Sequence, residues 1–237
     1  MSLARLMAVS VCAWCLLGCR SDQPAGTLSD RGHAPGAGLA PPSDYRKELL
    51  RQAMRGLRYE SGRVEIDEAV ADTIVHRGTR AEAMAEYERG EAFLQQNQRI
   101  QAIGAFTRAV LIDPDEALLY EGLGTALLTK QKTHEALAAY RTALDRDPLL
   151  TTARLHLADA LQRLGQHAEA ANELREVIRR EPDNGPARSR LAIVLYYVGD
   201  DTGAWEQVHA AEALGQPVPP QFRALLAQRA PEPAGKP

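Results

Sequence analysis

Residue types recur every 34 positions between residues 83 and 216, and this period limits the possible folds more than any other feature of the chain. Pro114, Pro148 and Pro182 lie at that spacing, as do Gly90, Gly124, Ala158 and Ala192. Ala102, Ala136, Ala170 and Ala204 form a third series, and Ala109, Ala143, Val177 and Ala211 a fourth. Large apolar residues fill two more: Phe93, Leu127, Leu161 and Leu195, then Phe106, Tyr140, Leu174 and Val208. A period of this length is the mark of a solenoid built from one repeated supersecondary unit. The composition agrees with helices, since Ala, Leu and Arg dominate and aromatic residues make up only 5%.

The residue types suit a helix–turn–helix unit. Gly or Ala in the first helix lets the second helix approach closely, and the Ala positions of the second helix do the same toward the next repeat. The large apolar series fill the space between layers, each contributing about 1.5–3 kcal/mol if fully buried. Proline lacks an N–H and clashes with the preceding turn, so it ends one helix and can start the next. In Asp113-Pro114-Asp115-Glu116 a capping residue and acids suited to a helix N-terminus surround the proline. Gly165 and Gly199, with Asn97 at the equivalent place, occupy the positions of left-handed C-caps.

This pattern resembles the tetratricopeptide repeat (TPR), whose unit carries Gly or Ala, aromatic, Ala and Pro at these offsets. The resemblance covers 83–116, 117–150, 151–184 and 185–216, and it implies an all-α fold, a right-handed α-solenoid. Two departures stand out. Glu86, Tyr120, Arg154 and Arg188 replace the family's early Trp, and Gln216 stands where the last repeat would carry Pro, with Pro217 next to it. A capping helix is expected over 217–229, introduced by Val218-Pro219-Pro220-Gln221 and with Phe222, Leu225 and Leu226 on one face. Residues 230–237 read as a disordered tail. Upstream, 44–82 reads as a helical segment, a hairpin of two helices packed on the first repeat. Tyr45, Leu49, Met54 and Leu57, then Ile66, Val70, Thr73 and Ile74, follow helical spacing. Gly56 and Tyr59 precede Gly90 and Phe93 by one period, so a degenerate extra repeat is the competing reading, although Glu68 and Val75 fail its template.

The resemblance also implies a function. In this family the first helix of each repeat lines a concave groove that holds peptides or partner helices. Its offsets fall on Tyr87, Glu91 and Leu94, on Glu121, Thr125 and Leu128, on Leu155, Asp159 and Gln162, and on Ser189, Ile193, Tyr196 and Tyr197. The mixture of acids with apolar and aromatic groups suits a segment with apolar anchors. Tyr196 and Tyr197 are the expected hot spots, and packing of Tyr196 against the capping helix is the competing reading. The carboxylate-clamp offsets carry Tyr87, Glu91, Gly122, Thr152 and His156, a set without Lys, Arg or Asn.

The N-terminus supplies an address. Arg5 precedes an apolar run from Leu6 to Leu17, too short to span a hydrocarbon core of about 30 Å and shaped like a secretory signal. Leu16-Leu17-Gly18-Cys19 resembles a bacterial lipobox, which implies a signal peptide over 1–18, acyl chains on Cys19 and loss of Cys12 and Cys15. Residues 19–43 then form a linker, with four Gly and four Pro in positions 20–43. In such lipoproteins Asp after the cysteine favours inner-membrane retention. Arg20 there implies the outer membrane, facing the periplasm, with the periplasmic face of the inner membrane as the alternative.

The formal net charge of −3 argues against nucleic acid as a partner. His33 reads as a linker residue. His76, His134, His156, His167 and His209 lack metal-ligand spacing and a partnered nucleophile, so no catalytic residue, metal or cofactor is expected. The chain is expected to be an envelope scaffold binding proteins or peptide segments and anchored by lipid, acting in pilus or secretion-system assembly. The alternative is a self-associating homo-oligomer whose groove is filled by its own N-terminal helices.

Overall fold

A computed structural model describes residues 43–75 and 78–233. The signal peptide, Cys19, the linker with His33, and His76 lie outside the described residues.

Four helix pairs follow one another. They are α3 (Arg80–Gln95) with α4 (Arg99–Ile112), α5 (Ala117–Thr129) with α6 (Thr133–Arg146), α7 (Thr151–Arg163) with α8 (His167–Arg180), and α9 (Gly185–Val198) with α10 (Asp201–Ala213). α11 (Pro220–Arg229) follows them, and α1 (Ser43–Ala53), β1 (Leu57–Glu60), β2 (Arg63–Ile66) and α2 (Glu68–Ile74) precede them. Each pair packs on the next, so this part of the chain is an all-α solenoid of TPR type.

Local chemistry sets the ends of the helices. Thr79 opens α3 with a capping box: its hydroxyl accepts from the Glu82 N–H, and the Glu82 carboxylate accepts from the Thr79 N–H at 2.9 Å. Asn184 caps α9 by accepting from the Ala187 N–H at 2.9 Å. Between the helices of each pair the chain turns through one left-handed residue: Asn97, Gln131, Gly165 and Gly199, all at positive φ and 34 residues apart. Gln131 tolerates there a conformation that costs Gly nothing.

The small and large series interlock. Phe106, Tyr140, Leu174 and Val208 are buried, as are all four residues of each Ala-rich series of the second helices. Phe93 departs from its series, being only partly buried, with the Arg89 guanidinium 5.6 Å from its ring centre. Gly124 shows why its position must be small. A Cβ there would lie 2.6 Å from the Tyr140 ring, a separation at which repulsion is steep. Gly104, also within a helix, would place its Cβ 3.6 Å or more from its neighbours, an ordinary contact. Opposite signs follow for one chemical change. Gly104→Ala should raise stability by about 0.5–1 kcal/mol through helix propensity. Gly124→Ala should lower it, because overpacking costs about 1–3 kcal/mol and outweighs that gain. Thermal melts of the two variants check both, and a stabilised Gly124→Ala would refute the steric account.

Three of the four residues that stand in for the early Trp carry a recurring polar clasp, and the fourth, Glu86, accepts from Arg108 instead. The Tyr120 hydroxyl donates to the Pro114 carbonyl at 3.0 Å, Arg154 to the Pro148 carbonyl at 3.0 Å, and Arg188 to the Pro182 carbonyl at 2.8 Å. Arg146 and Arg180 reach the Pro114 and Pro148 carbonyls from the second helices, at 3.2 and 2.6 Å. The turns between repeats are thus tied by charge-assisted bonds as well as by proline rigidity. Arg154 also bridges to Glu173 on α8 at 2.6 Å.

The segment before the repeats corrects the helical hairpin expected over 44–82. α1 ends at Ala53, and β1 and β2 form an antiparallel hairpin with Tyr59 opposite Val64. Leu57, Tyr59, Val64 and Ile66 alternate with Arg58, Glu60, Arg63 and Glu65, a period of two. Ser61 and Gly62 are the two turn residues, both at positive φ (51° and 71°), the requirement of a type I′ hairpin. α1 and α2 are separated by these strands, so neither a helical hairpin nor an extra repeat forms here, and Tyr45 is exposed. α1 packs on α4 and the hairpin on α6. The Val64 N–H donates to the Thr142 hydroxyl at 2.9 Å, and Arg63 pairs with Asp145. The segment therefore covers second helices of the first two repeats, which corrects the alternative that places it in the chain's own groove.

The C-terminal end needs two corrections. Val218, Phe222 and Leu226 are buried in the cap, but Leu225 is half exposed because it lies on the outer side of α11. Residues 230–233 are docked rather than a free tail. The Trp205 indole N–H donates to the Ala230 carbonyl at 3.1 Å, and Glu232 meets His209 at 2.9 Å and Arg223 at 2.7 Å.

Candidate functional site, the face of the first helices

α3 contacts α5, and α5 contacts α7, directly across the layers, so the first helices share one face of the solenoid. The residues at the groove offsets divide into open and occupied positions. Tyr87, Glu91, Leu94, Leu128, Leu155, Asp159, Gln162 and Ile193 are half-buried, and Tyr197 is 58% exposed.

Four of the expected groove residues are taken by the protein itself. Glu121 is only 8% exposed and shares a 2.7 Å hydrogen bond with Nδ1 of His156 on α7. Thr125 bonds the Tyr140 hydroxyl at 3.3 Å, and Ser189 is buried. Tyr196 meets the ring of Phe222 edge-on at 5.7 Å, and the Arg229 guanidinium lies 3.6 Å from its ring centre. Tyr196 is thus a contact of the capping helix, which corrects its reading as a hot spot. α11 holds this arrangement through Arg229, which also bonds the Tyr196 carbonyl and Asp201.

The N-terminal part of this face is acidic. The Tyr87 ring lies against Gly122 and edge-on to Phe106 at 5.3 Å, since a Cβ on residue 122 would sit 2.7 Å from it. Burial, then the charges of Glu91 and Glu121, push the Tyr87 phenol up to about 12. Burial and the charge of Glu121 also raise the Glu91 carboxyl above its ordinary range. Glu91 makes no ion pair or side-chain hydrogen bond among the described residues.

The C-terminal part contains a cleft of about 450 Å³ lined by Asp159, Gln162, Arg163, His167 and Tyr197. The His167 and Tyr197 rings stack at 4.8 Å with an interplanar angle of 12°, which props the exposed Tyr197 over the cleft. Nδ1 of His167 is buried without a hydrogen-bond partner among the described residues. Asp159 is held by Arg190 at 3.1 Å. Offset carry-over found Tyr197 but not its support. His167 belongs to a second helix, whereas the groove offsets fall on first helices.

Tetratricopeptide-repeat family models match residues 87–151 and 151–194, spans that take in nearly all of the three proline-spaced repeats over 83–184. Residues 87–194 are therefore tetratricopeptide repeats. No curated protein matches it. Among solved structures it is similar to MamA, with 16% identity, a TM-score of 0.54, and coverage of 67% of this chain and 89% of that one. MamA (41-end) from Desulfovibrio magneticus RS-1 gives a TM-score of 0.57 at 16% identity, over 65% of this chain and 87% of that one. The first TPR domain of Spaghetti (RPAP3), bound to the HSP90 peptide SRMEEVD, gives a TM-score of 0.51 at 21% identity, over 53% of this chain and 99% of that one. These likenesses concern the fold. Among the described residues, no group of three His, Cys, Asp or Glu could hold a metal ion, and no helix is long and apolar enough to cross a membrane.

Proposed function

We propose that this TPR chain is a scaffold whose first-helix face binds segments of partner proteins. The observation that carries the reading is Tyr197, a large exposed aromatic held rigid by stacking on His167 at the rim of a cleft. A pre-ordered aromatic loses little side-chain entropy on binding, which is why such residues anchor interfaces. The N-terminal segment packs on α4 and α6 and leaves this face to a partner. The RPAP3 repeat domain, similar in fold, holds a peptide, which supports the same use of the fold here.

The test is photo-crosslinking in cells of the source organism. A photoreactive phenylalanine in place of Tyr197 should give discrete adducts, and the same group in place of Leu149, exposed in the loop between α6 and α7, should not. Equal patterns at both positions would reject the site. Once a partner is isolated, Tyr197→Ala should weaken its binding about 30-fold, the ~2 kcal/mol of a hot-spot aromatic.

The same reading places the scaffold on a bacterial envelope membrane. It rests on the short apolar run and the Leu16-Leu17-Gly18-Cys19 tetrad, with lipid on Cys19 as the anchor and Arg20 favouring the outer membrane facing the periplasm. Two or more acyl chains anchor stably where one does not. Assembly of a pilus or secretion machine is the setting such a tethered platform would serve. Cys19→Ser should abolish lipid labelling and move the protein out of the membrane fraction; unchanged fractionation would overturn the anchor.

A further inference from the structure

The two ends of the groove differ in charge, which specifies the chemistry of what it binds. At the α3–α5 end, Glu91 is half-buried, makes no ion pair among the described residues and lies one helical turn from Tyr87, and the charge of Glu121 adds to burial in raising its carboxyl. Two groups of this face are committed elsewhere: His156 is hydrogen-bonded to Glu121, and Arg190 is paired with Asp159. Leu94 and Leu128, partly buried at the groove offsets of the first two repeats, offer apolar surface. At the α7–α9 end the cleft with Tyr197 is lined by Asp159, which is paired with Arg190, and by Arg163, which makes no ion pair among the described residues.

We infer that the groove receives a partner segment carrying a lysine or arginine that meets Glu91, with aliphatic or aromatic side chains seated on Leu94, Leu128 and Tyr197. The physical reason is complementarity. A half-buried carboxylate facing a second carboxylate gains from any cation brought to it, and it rejects an acidic segment by several-fold or more. The opposite charge at Arg163 gives the groove a direction, so the basic residue of the segment points toward the first repeat. This inference rests on the first-helix face being the binding surface.

Selection of a random twelve-residue peptide display library on the full chain tests it. Clones enriched on the unaltered protein should combine Lys or Arg with apolar residues. Synthetic peptides from those clones should bind Glu91→Gln about ten-fold more weakly. They should bind Asp72→Asn equally well, since that variant removes the same charge from an exposed site on α2. Circular dichroism melts confirm that both variants fold. Enriched clones that are neutral or acidic, or cationic clones that bind Glu91→Gln unchanged, overturn the inference while leaving a groove that binds peptides. Clones that are insensitive to Tyr197→Ala as well, or no enrichment at all, overturn both the inference and the first-helix face as the binding surface.

Discussion

Phe106→Ala should lower the stability of the repeats by about 3–5 kcal/mol, the cost of emptying a fully buried aromatic site that cannot collapse. The ring is wholly buried and fills the space between three helices, lying against the positions of Gly90 on α3 and Gly122 on α5 and meeting Tyr87 edge-on. Both glycines leave room shaped for this ring, so its removal opens a void between the first two repeats. For a unit of this size, each kcal/mol moves the melting midpoint by about 2–4 °C, so the midpoint should fall by about 10 °C. Because solenoid repeats are stabilised by their neighbours, the first repeat should also unfold ahead of the rest. Calorimetry checks both expectations, and a single transition within 2 °C of the parent, as an order-of-magnitude limit, would show that the void closes.

Trp205→Ala should have an effect of similar size but a different distribution. The indole is fully buried in α10, donates to the Ala230 carbonyl, stacks on His209 at 5.7 Å, and lies under the Arg223 guanidinium. Burial of the ring and its hydrogen bond together contribute about 3–5 kcal/mol. Trp205 sits in the last repeat, so its loss releases α11 and the docked segment at 230–233 without disturbing the interfaces upstream. Hydrogen exchange should speed up across 201–233 and stay unchanged across 87–150. Uniform acceleration along the chain would show instead that the repeats unfold as one cooperative unit. The variant bears on function too, because Arg229 and Phe222 of the same cap hold Tyr196 beside Tyr197.

The two variants show what kind of information the repeat period carries. Ala102, Phe106 and their equivalents are buried because each answers a steric demand that recurs with the same neighbours in every unit, so spacing alone locates them. The left-handed turn at Asn97, Gln131, Gly165 and Gly199 recurs for the same reason, although Gln131 hides it from a search for glycine. Before residue 80 no period helps. The β-hairpin there was legible in the two-residue alternation around Ser61-Gly62, but four-residue strands are short enough for helical spacing to fit the same apolar residues. Among the groove positions, the offsets specify which residues face inward but not which are consumed. Glu121 and His156 are 35 residues apart, and Tyr196 is claimed by Phe222 and Arg229 from a helix outside the repeats.

The sequence by itself therefore determined the number of repeats, the helix pairs and nearly all of the repeat core, because these follow from short-range sterics copied at a constant interval. Tertiary structure alone decided three other things. The N-terminal hairpin lies against α6, through Val64 with Thr142 and Arg63 with Asp145, leaving the first-helix face uncovered by it. Tyr120, Arg154 and Arg188, in place of the early Trp, clasp the proline carbonyls of the inter-repeat turns. And Glu91 and Tyr197 stay available in a groove where Glu121, Ser189 and Tyr196 do not. The first and last depend on polar or aromatic pairings between distant segments, formed only once the helices have packed; the clasps join residues six apart and recur with the period, but the geometry of the folded turn decides that these side chains reach the carbonyls.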